Sequence, residues 1–350
     1  MRTILVIGGG PAGTLAAIAA KKQDPAAAVT LLTLEPCEPY EKPPLSKAVL
    51  LGDVMPGDAL IAGPGGVAGH DVALQTLSRC TAIDRFDRAV VLDDGRRLHY
   101  DALVIATGST PRQIPQLPIG MPRVHYLRTD TDARALQSAL RRSRNLLVVG
   151  GGLIGLEVAA SAAQLGVKVT VLELAPRILA RVCDEQTGAV VHAAHSRYGV
   201  DIRVGTTLAA AAPQADGRIA AQTGAGDQVI ADLVVVGTGS KPDAALAAAA
   251  GLATDDGIVV DAQCRTSDPA IFAAGDAVRF PAFVLVRAVR SVHPGRWLAG
   301  AGDHPCAPAA RGRRSARIRD QRRTPHPRDG HQRAARSRVR APADRASRSD

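Results

Sequence analysis

Short, unbroken apolar runs recur along the first 240 residues: TILVI at 3–7, VTLLTL at 29–34, DALVIATG at 101–108, NLLVVG at 145–150, VKVTVL at 167–172 and ADLVVVGTG at 231–239. Runs of this length without alternation predict strands buried on both faces, as in a parallel sheet. Between them lie Ala-rich stretches, notably LIGLEVAASAAQLG at 153–166, which predict helices. A polar helix is expected at about 129–144 and another near 184–198. One alternating stretch, RAVVLDDGRRLHY at 88–100, carries Asp94-Gly95 and predicts a hairpin.

The order strand, glycine turn, helix, strand occurs twice, and this fixes the expected fold class. It is α/β, with two Rossmann-like, three-layer dinucleotide-binding domains. Residues 1–111 give the first part of one domain and 112–240 give a second, complete domain. Residues 241–284 read as a return to the first, so the second domain is inserted into it. The return segment ends on TSDPAIFAAGDAVRF at 266–280.

Composition changes this picture only at the C-terminal end. Hydrophobic residues make up 46% of the chain, enough for a sizeable core, but aromatics only 3%, so Ala, Val, Leu and Ile must build it. The net charge of +10 is uneven: residues 1–280 hold 26 basic and 28 acidic side chains, whereas 281–350 hold 17 and 5. That last stretch, 285–350, is rich in Arg, Ala, Pro and Ser without periodicity, and is expected to be disordered. It has no lysine and no interleaved aromatics, which argues against nucleic-acid binding. Its composition is that of GC-rich codons read out of frame, so a reading-frame change is expected there. No apolar run approaches the ~20 residues of a membrane span. The N-terminus lacks a signal-peptide pattern, so a cytoplasmic location is expected. The five cysteines form no CxxC or CxxxxC, which excludes a redox-active cysteine pair and leaves no zinc-site spacing for a metal. GxSxG is absent as well.

The chemistry sits in the glycine turns. In VIGGGPAG, Gly8 permits a tight turn, Gly10 lets backbone approach a pyrophosphate and Gly13 lets helix pack on strand. The helix N-terminus then offers amides and partial positive charge to the phosphates, with Pro11 and Ala12 in the same turn. Gly150, Gly152 and Gly155 of VVGGGLIG repeat the arrangement, with Ile154 between them. Glu35, 22 residues past Gly13, and Glu173, 18 past Gly155, read as acids closing the second strand of each unit, placed to accept ribose hydroxyls. An acid at 173 favours NADH over NADPH. Arg177 either softens that preference or is a solvated charge. In PYEKPPLSK at 39–47, two prolines precede a helix expected to carry Lys47.

GGGPAG, PYEKPPLSK, IATGSTPR, GGGLIGLE and TSDPAIFAAGD, in this order, resemble the FAD-dependent, NADH-oxidising ferredoxin reductases of oxygenase systems. The resemblance spans about residues 1–280. It implies that Gly8, Gly10, Gly13 and Glu35 hold FAD, with Thr107 and Gly108 lining its site. It implies that Asp276 binds the ribityl chain, with Gly275 a further cofactor-binding residue. It implies that Gly150, Gly152, Gly155 and Glu173 hold NAD(H), with Gly237 and Gly239 nearby. Lys47, paired with Glu157, would stand at the flavin as the catalytic pair. The implied partners are NADH and a ferredoxin-type [2Fe-2S] protein, with no membrane. The family carries a further C-terminal domain, and its pattern dissolves after Phe280; weaker FAD retention and poorer coupling are therefore expected. Two other functions stay open on the residues: a flavin- or NADH-binding protein with signalling or structural use, or a non-functional remnant of the reductase. A single-cysteine oxidase would need Cys37, which looks structural.

Overall fold

The structure is a computed structural model and describes residues 1–280. The expectations for 285–350 lie outside the described residues. Two five-stranded parallel sheets organise the rest. The first runs Ile271–Ala273, Ala102–Ile105, Thr3–Ile7, Ala28–Leu32, Ala73–Gln75 from edge to edge. The second runs Asp201–Arg203, Lys168–Leu172, Asn145–Val149, Leu233–Val236, Val124–His125. In both, the strand that leads into the glycine turn is central and its neighbours lie to either side, so the order reverses there. Ligands of doubly wound sheets bind at this reversal, outside the carboxyl ends of the strands.

Each sheet inserts an antiparallel three-stranded meander before a later strand: Cys80–Asp84, Ala89–Leu92 and Arg97–His99 in one, Leu208–Pro213, Ile219–Thr223 and Gln228–Ala231 in the other. The hairpin read around Asp94-Gly95 is the turn of the first meander, with Gly95 at φ +84°. The strand Ile271–Ala273 pairs with Ala102–Ile105 in the first sheet, which is where the return segment ends up. The outgoing stretch Ser109–Pro111 pairs antiparallel with the returning Ser240–Pro242, so the chain crosses between the sheets on two joined strands.

Five helices matter for the site: α1 (Pro11–Gln23), α2 (Ala48–Leu51), α3 (Asp130–Leu140), α4 (Leu153–Gln164) and α5 (Glu185–Arg197). α3 ends four residues earlier than its sequence pattern suggested, because Arg141–Ser143 tighten into closing turns. Thr129 caps it, accepting from the Asp132 amide while the Asp132 carboxylate accepts from Thr129.

One segment departs from the expected layout. Residues 40–51 precede the first crossing between the sheets, yet their apolar side chains join the second sheet's core. Tyr40, Leu45, Val49 and Leu50 are buried with Leu136 and Leu140 of α3 and Val158, Ala159 and Ala162 of α4. Lys47 is also not on a helix. It sits at φ −123°, ψ −105° between a 3₁₀ turn (Pro43–Ser46) and α2. The two prolines open the 3₁₀ turn, where a missing N–H costs nothing, and the non-helical backbone of Lys47 separates that turn from α2.

Candidate functional site

The two glycine turns are copies at atomic detail. Gly8 N–H donates to Leu32 O and Gly150 N–H to Leu172 O, both at 2.8 Å. Gly8 has φ +115° and Gly150 +112°, and a Cβ on either would overlap a carbonyl oxygen, of Ala106 or Gly237. A Cβ on Gly13 would strike Gly8 O, and one on Gly155 would strike Gly150 O. These four glycines build the turn. Gly237 belongs with them, since a Cβ there would crowd Gly155 Cα at 3.3 Å.

Gly10 and Gly152 are different. A Cβ on Gly10 meets nothing within 4 Å, and one on Gly152 only Gly237 O at 4.0 Å. Each is the N-cap of its helix, with no side chain capping the first amides. The amides of Ala12 and Gly13, and of Ile154 and Gly155, therefore have no intrahelical acceptor and no capping side chain. An uncapped helix start beside a side-chain-free cradle is what a pyrophosphate fits.

The acids diverge. By register, the residue after Leu172 is Glu173 and the residue after Leu32 is Thr33; each donates its amide across the sheet at 2.9 Å, to Arg203 O and Gln75 O. Thr33, not Glu35, occupies the position of Glu173, and reading both acids as strand-closing residues needs correction. Glu173 is pinned by the amides of Gly151, at 2.5 Å on Oε2, and Ala175, at 2.7 Å on Oε1. Glu35 stands two residues further on and turns to other partners. Lys42 Nζ lies 2.5 Å from its Oε1, and Tyr40 donates its hydroxyl to Oε2. The Tyr40 hydroxyl in turn accepts from Lys42 at 2.9 Å and from the Asp130 amide, the start of α3, at 2.7 Å. Burial, with the adjoining Glu35 carboxylate, pushes the Tyr40 phenol far above its ordinary range, so it remains a donor. Lys42 Nζ also lies 4.2 Å from the Tyr40 ring centroid.

Arg177 is half-buried and engaged by its own loop rather than free in solvent. Its guanidinium donates to the carbonyls of Ile178, Ala180, Cys183 and Asp184, knotting the loop beyond Glu173. Leu179 N–H fastens that loop to Gly151 O at 3.0 Å.

Gly275 returns to the first turn: a Cβ on it would lie 2.8 Å from Ala12 Cβ. Next to it, the exposed Asp276 carboxylate accepts from Ser109 Oγ at 3.2 Å and Arg128 Nη2 at 3.4 Å. Thr107 donates its hydroxyl to Asp243 O at 2.6 Å, and Gly108 accepts the Asp243 amide at 2.8 Å. Gly239, φ +101°, accepts from Arg112 at the crossing strands, 2.8 Å away. Arg128, Lys42 and Tyr40 belong to this neighbourhood, and sequence reasoning missed all three. Tyr40 and Lys42 lay inside the PYEKPPLSK motif without a role read for them, and Arg128 lay in no motif.

Lys47 and Glu157 lie 110 positions apart in the chain and meet at 2.9 Å between Nζ and Oε1. Segment 40–51 carries the lysine to α4, and α4 presents the glutamate one turn past its start. Burial, then the charges of Glu35 and Asp130, raises the Cys37 thiol. Burial pushes Cys80 to about 12 and Cys264 to about 11, so neither carries a thiolate at neutral pH.

Comparison with known proteins gives a consistent family. The pyridine nucleotide-disulphide oxidoreductase model matches residues 2–297. The ferredoxin–NAD(+) reductase component of the anthranilate 1,2-dioxygenase system of Burkholderia cepacia is 43% identical over 287 residues, covering 82% of this chain and 70% of that protein. Rhodocoxin reductase of Rhodococcus erythropolis is 39% identical over 280 residues, 80% of this chain and 65% of that one. Among solved structures, putidaredoxin reductase in its covalent complex with putidaredoxin aligns with a TM-score of 0.75 at 37% identity, covering 80% of this chain and 68% of that one. A ferredoxin reductase from Rhodopseudomonas palustris aligns equally well, at 34% identity. The chain thus spans about two thirds of the length of these relatives. On its fold, its paired glycine turns and this match, the chain belongs to the pyridine nucleotide-disulphide oxidoreductase family.

Proposed function

We propose that the protein is an oxidoreductase that takes electrons from NADH and passes them to a ferredoxin-type [2Fe-2S] protein, with FAD on the first unit and NAD(H) on the second. Bound FAD would supply the chemistry that joins a two-electron donor to a one-electron acceptor. Ala12 and Gly13 amides would hold one pyrophosphate, and Ile154 and Gly155 amides the other. Glu173, fixed by two backbone amides, would accept the hydroxyls of an unphosphorylated ribose and repel a 2′-phosphate, which favours NADH. Glu35 would serve the adenosine ribose of FAD from its place beside Lys42 and Tyr40. Thr107 and Gly108 would line the flavin site, and Asp276, steadied by Arg128, would meet the ribityl chain. Lys47 would place a positive charge at the flavin, and Glu157 would keep that charge oriented and nearly balanced.

The observation that carries this reading is the pair of open, uncapped glycine turns of identical register in one chain. The names of the similar reductases support the acceptor class. The domain division at 111, 240 and 284 belongs to the same proposal, and the crossing strands support it. So does a cytoplasmic location; among the described residues, no helix is long and apolar enough to cross a membrane. The test is anaerobic mixing of the FAD-reconstituted protein with NADH, then with a [2Fe-2S] ferredoxin. Bleaching of the flavin bands, then of the ferredoxin bands, is expected. Flavin bands that persist with NADH would overturn the reading.

A further inference from the structure

The Lys47–Glu157 pair gains little rigidity from its own charges. Its side chains are 48% and 33% exposed, and a pair this open to water is weak and costs side-chain entropy to hold in one geometry. A buried neighbour supplies what the pair lacks. Ser46 is 5% exposed, and its hydroxyl donates to Glu157 Oε2 at 2.5 Å. The other carboxylate oxygen is thereby left facing Lys47. Ser46 is itself held from α4: Ser161, 3% exposed and one turn beyond Glu157, donates its hydroxyl to Ser46 O at 2.8 Å. Residues i and i+4 of one helix share a face, so α4 grips Ser46 at its side chain and its carbonyl at once.

We infer that Ser46 is a positioning residue, whose buried hydroxyl fixes one oxygen of Glu157 and so aims the other at the Lys47 ammonium. The inference rests on the proposed function, in which that pair acts at the flavin. A hydrogen bond to an ionised carboxylate is stronger and shorter than a neutral one, and here its donor is buried while both side chains of the ion pair are partly exposed.

The test has two arms. In the FAD-free protein, lysines are pulse-acylated and read by peptide mass spectrometry. Ser46→Ala should speed labelling of Lys47 about threefold, as its carboxylate partner is released, with Lys21 and Lys168 unchanged as internal controls of folding. In the FAD-loaded protein, Ser46→Ala should slow flavin reduction by saturating NADH about tenfold, the loss of one hydrogen bond to a charged group, with half-saturation unchanged. The double variant Ser46→Ala, Glu157→Gln should be no slower than Glu157→Gln alone. Unchanged labelling of Lys47, or losses that multiply in the double variant, would overturn the inference. If Glu157→Gln alone leaves the rate untouched, the catalytic reading of the pair fails, and the labelling arm still decides the role of Ser46. If Ser46→Ala does not fold, Ser161→Ala carries the labelling arm; about twofold faster labelling of Lys47 is expected, and no change overturns the inference.

Discussion

The two nucleotide units share their backbone through the second strand and differ beyond it. In the second unit the acid stands directly after Leu172, and the glycine turn itself pins it through the Gly151 amide. In the first unit that register position holds Thr33, whose Oγ1 would lie 2.8 Å from a Cβ on Gly9. The acid has moved two residues outward and is held by Tyr40 and Lys42, with Tyr40 in turn accepting from the start of α3. The second site is therefore self-contained, while the first borrows its support from a helix packed in the other sheet's core. A shared turn sets where phosphate fits; the residues beyond it set how the adenosine end is gripped and what that grip is tied to.

The largest expected effect tests the shared part. Gly8→Ala or Gly150→Ala combines a strained positive φ with overlap onto a carbonyl, and each should cost about 3–5 kcal/mol in urea unfolding. A well-folded variant at either position would show that the turns are not built as described.

Next come the acids, where the comparison is sharpest. Glu173→Ala should raise the half-saturating NADH concentration about tenfold and leave FAD content unchanged. Glu35→Ala should weaken FAD about tenfold and leave NADH half-saturation unchanged. Equal effects of both variants on both ligands would break the distinction. Tyr40→Phe should then cost about 1–2 kcal/mol of stability by removing the link among Glu35, Lys42 and the Asp130 amide. It should weaken FAD without touching NADH half-saturation, and calorimetric titration of the two ligands reads both.

The smallest effect concerns a feature the units do share. Asp101 accepts the Thr3 amide at 2.6 Å, and Asp232 accepts the Arg144 and Asn145 amides, each at 2.8 Å. Each aspartate clasps the start of its glycine-turn strand. Burial raises the Asp232 carboxyl, but the Arg144 and Asn145 amides and the Asn145 side chain outweigh it and hold the group below the ordinary aspartate range. Its contribution is then present above the ordinary aspartate value and lost as pH falls through the lowered one. Asp232→Asn should cost about 1 kcal/mol in denaturant unfolding at pH 7, and the difference should vanish in acid.

Much of this was legible in the sequence. The apolar runs gave the strands, because a strand buried on both faces admits little else. The glycines gave the turns, because no other residue fits at Gly8 or Gly13. What the sequence concealed was set by folding at a distance. Tyr40 reads as one aromatic in a polar loop until it meets Asp130, and Arg128 reads as an ordinary surface charge until the return segment brings Asp276 beside it. Counting residues from Gly13 to Glu35 suggested an acid equivalent to Glu173; only the hydrogen-bond register exposed Thr33 in that place.

The central claim is that one chain holds two dinucleotides on two separable turns. The direct measurement is FAD affinity of the wild-type protein, Gly10→Ala and Gly152→Ala in parallel titrations. Both glycines have room for a methyl group, so both variants should fold. Gly10→Ala should weaken FAD at least about tenfold by intruding on the pyrophosphate cradle, and Gly152→Ala should leave it unchanged. Equal weakening by both, or weakening by Gly152→Ala alone, would contradict the assignment of FAD to the first turn.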